Sequence, residues 1–522
     1  MFILLLTLIS TGQDAQWLVN IPSNNSYNPY MLASRIAIDN NENIIVMGLK
    51  ENGMSYSPYL LGDYFLLRYN SDGVLVSDTI LWEGKVAVFD IQIFPNNNLL
   101  VSGQFYDSIT FHDGSSLGGF NSNYFLMEMD PNFNILWNTT FNEIIDATVR
   151  SDGSYHVLKK DFSSNEHHLL SYDNNNLVID SFSIEGLGFA VDLEADPDGS
   201  FFISGSCIGN ELIVNTDTFN SIGFYNVFMF KISSDKTIEY IVQHDHLTCP
   251  QSRMFLNKGI AYLAGNATDS TDIGGFIADG PAYIGMTDDY FAAINPDGTT
   301  KWLFQTPNEN GNMNWEHFRY NSLGAINDHI IAAGTIRGDS VSWPDGTTII
   351  DTIMTAYLDK TPAVFTLDTT GSVVSYKTFE GSGAAFYFDM QTSASGAIYL
   401  LGLTQDTFQI DNFTFNADPY NQKFFIIKLA GNTPNFQDRI EKNILKVYPN
   451  PTNEYLSIRI DDELTDDGTL TIVDALGKEV DHSKIKRDTR VIERSVGHLK
   501  PGVYFVKLAS AQTALQTKFL KQ

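Results

Sequence analysis

An all-β fold is predicted by three features of the sequence. Aromatic and glycine content is high, with 36 Phe, 24 Tyr and 39 Gly among 522 residues. Short aliphatic and aromatic runs alternate with turns rich in Asn, Asp and Gly, the signature of strands joined by tight turns. These runs also recur, the first two glycine-marked ones lying 55 positions apart at Gly48 and Gly103. At roughly 150 residues per domain, the length sets a prior of about three domains. A hydrophobic share of 43% with only 18% charged residues excludes a disordered chain and a coiled coil. Acids outnumber bases by 62 to 32. A net charge of −30 repels phosphate backbones and anionic bilayers, so neither nucleic acid nor an anionic membrane is the expected main partner. Cys207 and Cys249 are too few for a disulfide scaffold or a Cys-built zinc site.

The chain opens on an apolar run at 2–9 (FILLLTLI). It is too short to span a bilayer, which takes roughly 20 apolar residues, and has the length of a signal-peptide core. Ser10 and Gly12 meet the small-residue rule for cleavage after Gly12, so residues 1–12 are expected to be a signal peptide. No Lys or Arg precedes the run, a departure from the usual charged start. No later stretch reaches membrane length, and no transmembrane segment is expected.

Residues 13–436 repeat. Each unit contains a strand closing on glycine: 43–48 (NIIVMG), 99–103 (LLVSG), 201–205 (FFISG), 261–265 (AYLAG), 330–334 (IIAAG) and 398–402 (IYLLG). An aromatic strand follows: 63–69, 124–129, 227–232, 289–294, 363–367 and 423–429. A turn then leads to a further strand, such as 135–141 (ILWNTTF) or 301–304 (KWLF). The double gap between Gly103 and Gly205 is filled by a shorter unit at 154–162 and 168–172, where Lys159 and Lys160 replace the glycine. The count is then seven units of four short strands, which predicts a seven-bladed β-propeller. The repeated glycine is expected to supply a positive φ or a close approach to the next blade. The seventh unit lacks a Trp-bearing last strand, whereas residues 16–21 (QWLVNI) form one with no blade of its own. This strand is expected to close the last blade. In pattern, the units resemble the β-propeller repeats of secreted bacterial proteins.

Residues 437–442 are expected to be a linker. Beyond it the charge changes: residues 443–522 carry 12 bases and 11 acids, and the rest of the chain 20 and 51. Such a shift marks a domain boundary. Alternating strands and turns over this stretch predict a small Ig-like β-sandwich. Its blocks are Tyr448-Pro449-Asn450-Pro451, then Leu456-Ser457-Ile458, then 470–474 with Leu476-Gly477-Lys478. They continue with 499–508, which holds Pro501, Gly502 and Tyr504, and end at 518–521 with Lys521. In this order they resemble the type A C-terminal sorting domain of the type IX secretion system of Bacteroidetes-type bacteria. The resemblance implies export through the periplasm and recognition by the type IX translocon. It also implies a destination at the outer-membrane surface or outside the cell.

The search for chemistry yields no assigned catalytic residue, metal site or cofactor. There is no HExxH, no P-loop and no GxSxG. His244-Asp245-His246 with Cys249 nearby is the best metal candidate, because alternate strand residues share a face. A polar blade edge accounts for it better. His167-His168 is weaker, since adjacent strand residues face opposite ways. Asp196-Pro197-Asp198-Gly199 and Asn295-Pro296-Asp297-Gly298 fit tight turns better than calcium loops. The expected function is a non-enzymatic module that binds a glycan or protein. The alternative is a secreted hydrolase or lyase with its active site at the propeller mouth.

Overall fold

A computed structural model describes residues 14–21, 31–51, 61–161, 166–207, 211–214, 217–220, 227–244, 253–267, 270–273, 275–279, 288–305, 311–314, 323–338, 340–342, 348–350, 360–381, 385–404, 407–415, 423–430, 445–460, 467–474, 478–487, 489–509 and 514–522. The expected signal peptide at 1–12 and linker at 437–442 lie outside the described residues. The described chain is all-β, with antiparallel strands and turns and no helix. Among the described residues no helix is long and apolar enough to cross a membrane. The chain divides into two compact units, the first made of Met1–Pro344 and Ile349–Asp438 and the second centred on Arg439–Gln522.

In the first unit the strands pair in order, four at a time. Met31–Ile38, Ile44–Glu51, Leu61–Tyr69 and Leu75–Ile93 make the first run. The long strand Leu75–Ile93 carries on into the second, with Leu99–Phe111, Ser116–Met129 and Ile135–Phe141. The third run is Ile144–Val149, Tyr155–Lys160, His167–Tyr172 and Val178–Glu185. The fourth is Leu187–Ala195, Phe201–Cys207, Val227–Ile232 and Ile238–His244. The fifth is Arg253–Asn257, Ile260–Ala267, Asp288–Ile294 and Thr300–Gln305. The sixth is Leu323–Ile326, His329–Gly338, Lys360–Leu367 and Val373–Thr378. Ala385–Thr392, Ile398–Thr404 and Lys423–Leu429 form the last run, and its fourth strand is Ala15–Asn20 from the other end of the chain. In that pairing Trp17 stands opposite Lys428 and Val19 opposite Ile426.

Strands buried on both faces read as continuous apolar runs, and the packing shows where each face goes. Ile45 and Met47 join a core with Val88, Ile91 and Val101 of the second run. Their neighbours Ile44 and Val46 join a different core, with Tyr399, Leu401 and Ile426 of the last run. The first run is thus packed between the second and the last. Equivalent cores join the second run to the third through Leu100 and Val157, and the third to the fourth through Leu158 and Leu193. Others join the fourth to the fifth through Phe202 and Leu263, and the sixth to the last through Val364 and Leu400.

The repeated glycines correct one expectation. Gly48, Gly103, Gly205, Gly334 and Gly402 lie inside strands, and none has a positive φ. In four of these five places an aromatic stands directly across the sheet: Phe65, Phe125, Phe228 and Phe425. A Cβ at Gly103 would sit 2.6 Å from the Phe125 ring, and one at Gly402 2.2 Å from that of Phe425. The glycine makes room for a ring of its own sheet, so the close approach is across the strand and not to the next run.

The second unit holds two antiparallel sheets. One is ordered Leu445–Tyr448, Tyr455–Ile460, Val491–Ser495, and the other Glu479–Ile485, Gly468–Asp474, Gly502–Ala509, Ala514–Lys521. Both contribute to one core, with Leu456, Ile458 and Ile492 from the first and Leu470, Ile472, Val506 and Phe519 from the second.

Candidate functional site

The structure brings two distant blocks of the tail together. Tyr448 ends the first strand of the smaller sheet, opposite Ser457, and is 46% exposed. Pro449, Asn450 and Pro451 follow it at the surface, both Xaa-Pro bonds being cis. Asn450 Oδ1 accepts the Leu520 amide at 2.8 Å, and Thr452 exchanges backbone bonds with the end of the chain, its amide to Leu520 O and Gln522 N to its carbonyl. The Tyr448–Pro451 block therefore lies alongside the terminal strand, although 70 residues separate Asn450 from Leu520. Lys521 is buried and stands opposite Gly502, which joins the Pro501-Gly502 turn to the same edge. Tyr504 is buried, stacks on Phe519 at 5.5 Å and donates its hydroxyl to Lys500 O at 2.9 Å. Lys478 closes a turn back onto Asp474, whose side chain accepts its amide at 2.9 Å. Leu476 and Gly477, between them, lie outside the described residues.

In the first unit the polar groups converge on the leading strands of the runs. Asp90, Asp146, Asp192 and Asp389 each follow a register shift in such a strand. A bulge re-aims the side chain that follows it. Asp146 Oδ2 accepts the Leu193 amide at 2.9 Å, and Asp192 Oδ2 the Met254 amide at 2.7 Å. Asp389 Oδ2 accepts the Ile36 amide at 2.9 Å. Asp146, Asp192 and Asp389 thus each tie one leading strand to that of the following run, and the last of these bonds runs from the final run to the first. Arg35 stands where the first run has no aspartate and donates Nε–H to Phe89 O of the second. A cavity of about 80 Å³ opens between these strands, lined by Arg35, Asp90, Asp146, Thr148, Asp192 and Glu194 among others. It has room for a few waters or the polar end of a ligand.

The weighed metal and turn candidates separate. His244 ends the strand Ile238–His244, and Asp245, His246 and Cys249 lie outside the described residues, which leaves the metal candidate there. His167 is buried while His168 is partly exposed and 3.7 Å from Glu166, as adjacent strand residues must differ. Asp198 accepts from the Ser200 amide and hydroxyl at 2.8 and 2.6 Å, and Asp297 does the same for Thr299 at 3.0 and 2.6 Å. These carboxylates serve their own turns. Among the described residues no group of three or more His, Cys, Asp or Glu is arranged to hold a metal ion.

The sequence reading missed the leading-strand aspartates. Their signal was present in 87–93 (AVFDIQI), 144–149 (IIDATV), 190–195 (AVDLEA) and 387–392 (YFDMQT), each an aspartate set among apolar residues shortly before a strand of the repeat. A buried strand excludes a carboxylate unless something receives it.

No curated protein matches the chain. Among solved structures, a Synechocystis apocarotenoid oxygenase is 11% identical over 68% of this chain and 72% of that one, with a TM-score of 0.33. An exo-beta-1,3-galactanase from Phanerochaete chrysosporium, solved with galactose, is 10% identical over 96% of this chain and 100% of that one, with a TM-score of 0.29. At these scores neither likeness bears on the fold or the activity of this chain. A tail of the type described above implies handling by the type IX secretion machinery and a destination at the cell surface or outside the cell. The sequence blocks and the paired geometry of the C-terminal unit agree with the family comparison, in which residues 446–522 match the secretion system C-terminal sorting domain.

Proposed function

We propose that the chain is a type IX secretion cargo made of a signal peptide at 1–12, a seven-bladed β-propeller at 13–436, a linker at 437–442 and an Ig-like sorting sandwich at 443–522. The propeller is a non-enzymatic module that binds a glycan or a protein at the cell surface or in the medium. The ring reading is supported by the first run packing against both the second and the last. The sorting signal comprises Tyr448, Pro449, Asn450, Pro451, Leu476, Gly477, Lys478, Pro501, Gly502, Tyr504 and Lys521, the residues the translocon would read.

The observation that carries the binding reading is the use made of the central carboxylates. Asp146, Asp192 and Asp389 each accept a backbone amide of the following run. A carboxylate engaged by a backbone amide at three of these junctions is a support for a ligand surface and a poor candidate for a proton carrier. Glu194 and Asp90 in the cavity wall favour the second reading, a hydrolase or lyase at the mouth. The test is a glycan and protein binding screen of the exported protein, run beside a hydrolase panel on the same preparation. Saturable binding without turnover is expected. Turnover that disappears in Glu194→Gln would replace the binding reading with the enzymatic one.

A further inference from the structure

The core between the third and fourth runs carries two histidines on one face. In the strand Tyr155–Lys160, residues 156, 158 and 160 point the same way and stand opposite Ser171, Leu169 and His167. His156 and His167 therefore bracket the Leu158–Leu169 pair. That pair belongs to the core shared with Leu187, Leu193, Phe201 and Ile203 of the fourth run. The His156 ring meets Phe201 edge-on at 4.6 Å, and its Nδ1 is 2.9 Å from Ser171 Oγ. Its Nε2 is buried with no hydrogen-bond partner among the described residues. His167 is 0% exposed, and neither of its ring nitrogens has a partner among the described residues.

The charged groups around this face offer a new cation little help. Lys160 stands opposite His167 in the sheet, and Asp146, opposite Leu158 on the neighbouring strand, is taken up by the Leu193 amide of the fourth run at 2.9 Å. Arg150, Asp152 and Asp180 act on His156. From the fourth run, Lys236 already holds Asp180 at 2.6 Å, and Arg150 reaches across to Pro197 O at 3.2 Å, where Asp196 and Asp198 also act on it. His168 points to the other face beside Glu166, and Glu143 is engaged with Lys160.

We propose that this core is a pH-sensitive seam, closed while both imidazoles are neutral and opening between the third and fourth runs when they take up protons. A neutral imidazole tolerates an apolar site with an idle nitrogen; an imidazolium there is a buried, uncompensated charge. Burial foremost, then the nearby cations, pushes both histidines down from 6.5 to about 4. A group whose folded pKa lies below its unfolded value binds fewer protons when folded, so the seam is fully stable above about pH 6.5 and loses stability as the pH falls toward 4. The opening constant should rise by about 100-fold per histidine between pH 7 and pH 4.

The test is hydrogen exchange on the full chain at pH 7, 5.5 and 4.5, corrected for the intrinsic rate. Amides of 155–160 and 201–205 are followed against those of 398–402 in the last run. Selective loss of protection at 155–160 and 201–205, abolished in the His156→Gln/His167→Leu double variant, is expected. Uniform loss along the chain, or the same selective loss in the double variant, would overturn the proposal. Imidazole carbon NMR on the unaltered protein supplies a second readout, should that variant not fold. Two midpoints near 4 support the seam, and midpoints near 6.5 for all ten histidines overturn it.

Discussion

Trp17 is seated on Gly73: a Cβ added to that glycine would lie 2.8 Å from the indole, whose Nε1 donates to Ser71 O at 2.9 Å. The same arrangement recurs between the fifth and sixth runs. There Phe304 and Trp302, stacked on each other, both lie over Gly371, with Cβ distances of 2.4 and 2.9 Å, and Trp302 donates to Thr369 O at 3.2 Å. In both cases the aromatic sits on a fourth strand and the glycine in the turn before the fourth strand of the following run. Both glycines have positive φ, at +78° and +82°, and their missing side chains leave the space the aromatic rings fill. The strand Ala15–Asn20 thus makes the same joint between the last run and the first that Thr300–Gln305 makes between the fifth and the sixth.

Trp17→Ala should cost about 2–3 kcal/mol, from the lost packing of a partly buried indole, the Ser71 carbonyl keeping its bond from Lys428 Nζ at 3.0 Å. Deleting residues 13–22 should be at least as harmful. Thermal unfolding checks both, and unchanged midpoints would remove the closing role of this strand.

Gly73→Val should be as damaging from the other side of the joint. The new side chain meets the indole and must also adopt a left-handed φ, together about 2 kcal/mol or more. In the Trp17→Ala background the steric part should vanish and only the backbone part remain. A double-mutant cycle in urea measures the difference, and full additivity would mean that the two residues do not touch in solution.

Asp192→Ala should cost about 1–3 kcal/mol, because the Met254 amide loses its acceptor in a buried place. Asp192→Asn keeps an acceptor oxygen and should recover much of the loss. Denaturant midpoints check this ordering, and equal losses in both variants would show that charge and not the bond is what counts.

Acid should loosen the turn before Ile135. Burial raises the Asp130 carboxyl, but the bonds it accepts from the Asn134 side chain and from the Asn134 and Asn132 amides outweigh burial and hold it below the usual value. A carboxylate depressed in the folded state stabilises above its ordinary pKa near 3.8 and loses that contribution as pH falls further. Amide exchange at Asn132 and Asn134 should therefore accelerate between pH 4 and 2 beyond the intrinsic trend. Asp130→Asn should remove this acid dependence, and an unaltered profile in that variant would assign it elsewhere.

Much of this was legible because repetition averages over local ambiguity. One run such as NIIVMG can be helix or strand; several at matching places, each followed by an aromatic run, leave strands as the consistent reading. Trp17 was legible for the same reason, its strand resembling 301–304 and lacking neighbours of its own. The role of the glycines was misread because a glycine at the end of an apolar run looks like a turn, and only cross-strand register reveals Phe125 or Phe425 lying over it. Asp146, Asp192 and Asp389 were not singled out because their partners are backbone amides of the following run, which no side-chain motif advertises. His156 and His167 look like ordinary strand polar residues until the pairing puts both on one buried face.

The pairing of Asn450 with Leu520 joins the two ends of the sorting block, so weakening it should impair export before it impairs the body of the protein. Asn450→Ala with intact far-UV circular dichroism but periplasmic retention is the expected result. Retention accompanied by general degradation would instead mean a folding defect.

The central claim is that residues 443–522 address an otherwise independent body for export. The most direct measurement is fractionation, in a host with a type IX system, of the chain lacking those residues and of an unrelated periplasmic protein fused to them. The account predicts that the truncated chain accumulates folded in the periplasm and that the fusion reaches the surface or the medium. A truncated chain that still leaves the periplasm, or a fusion that stays there, would contradict it.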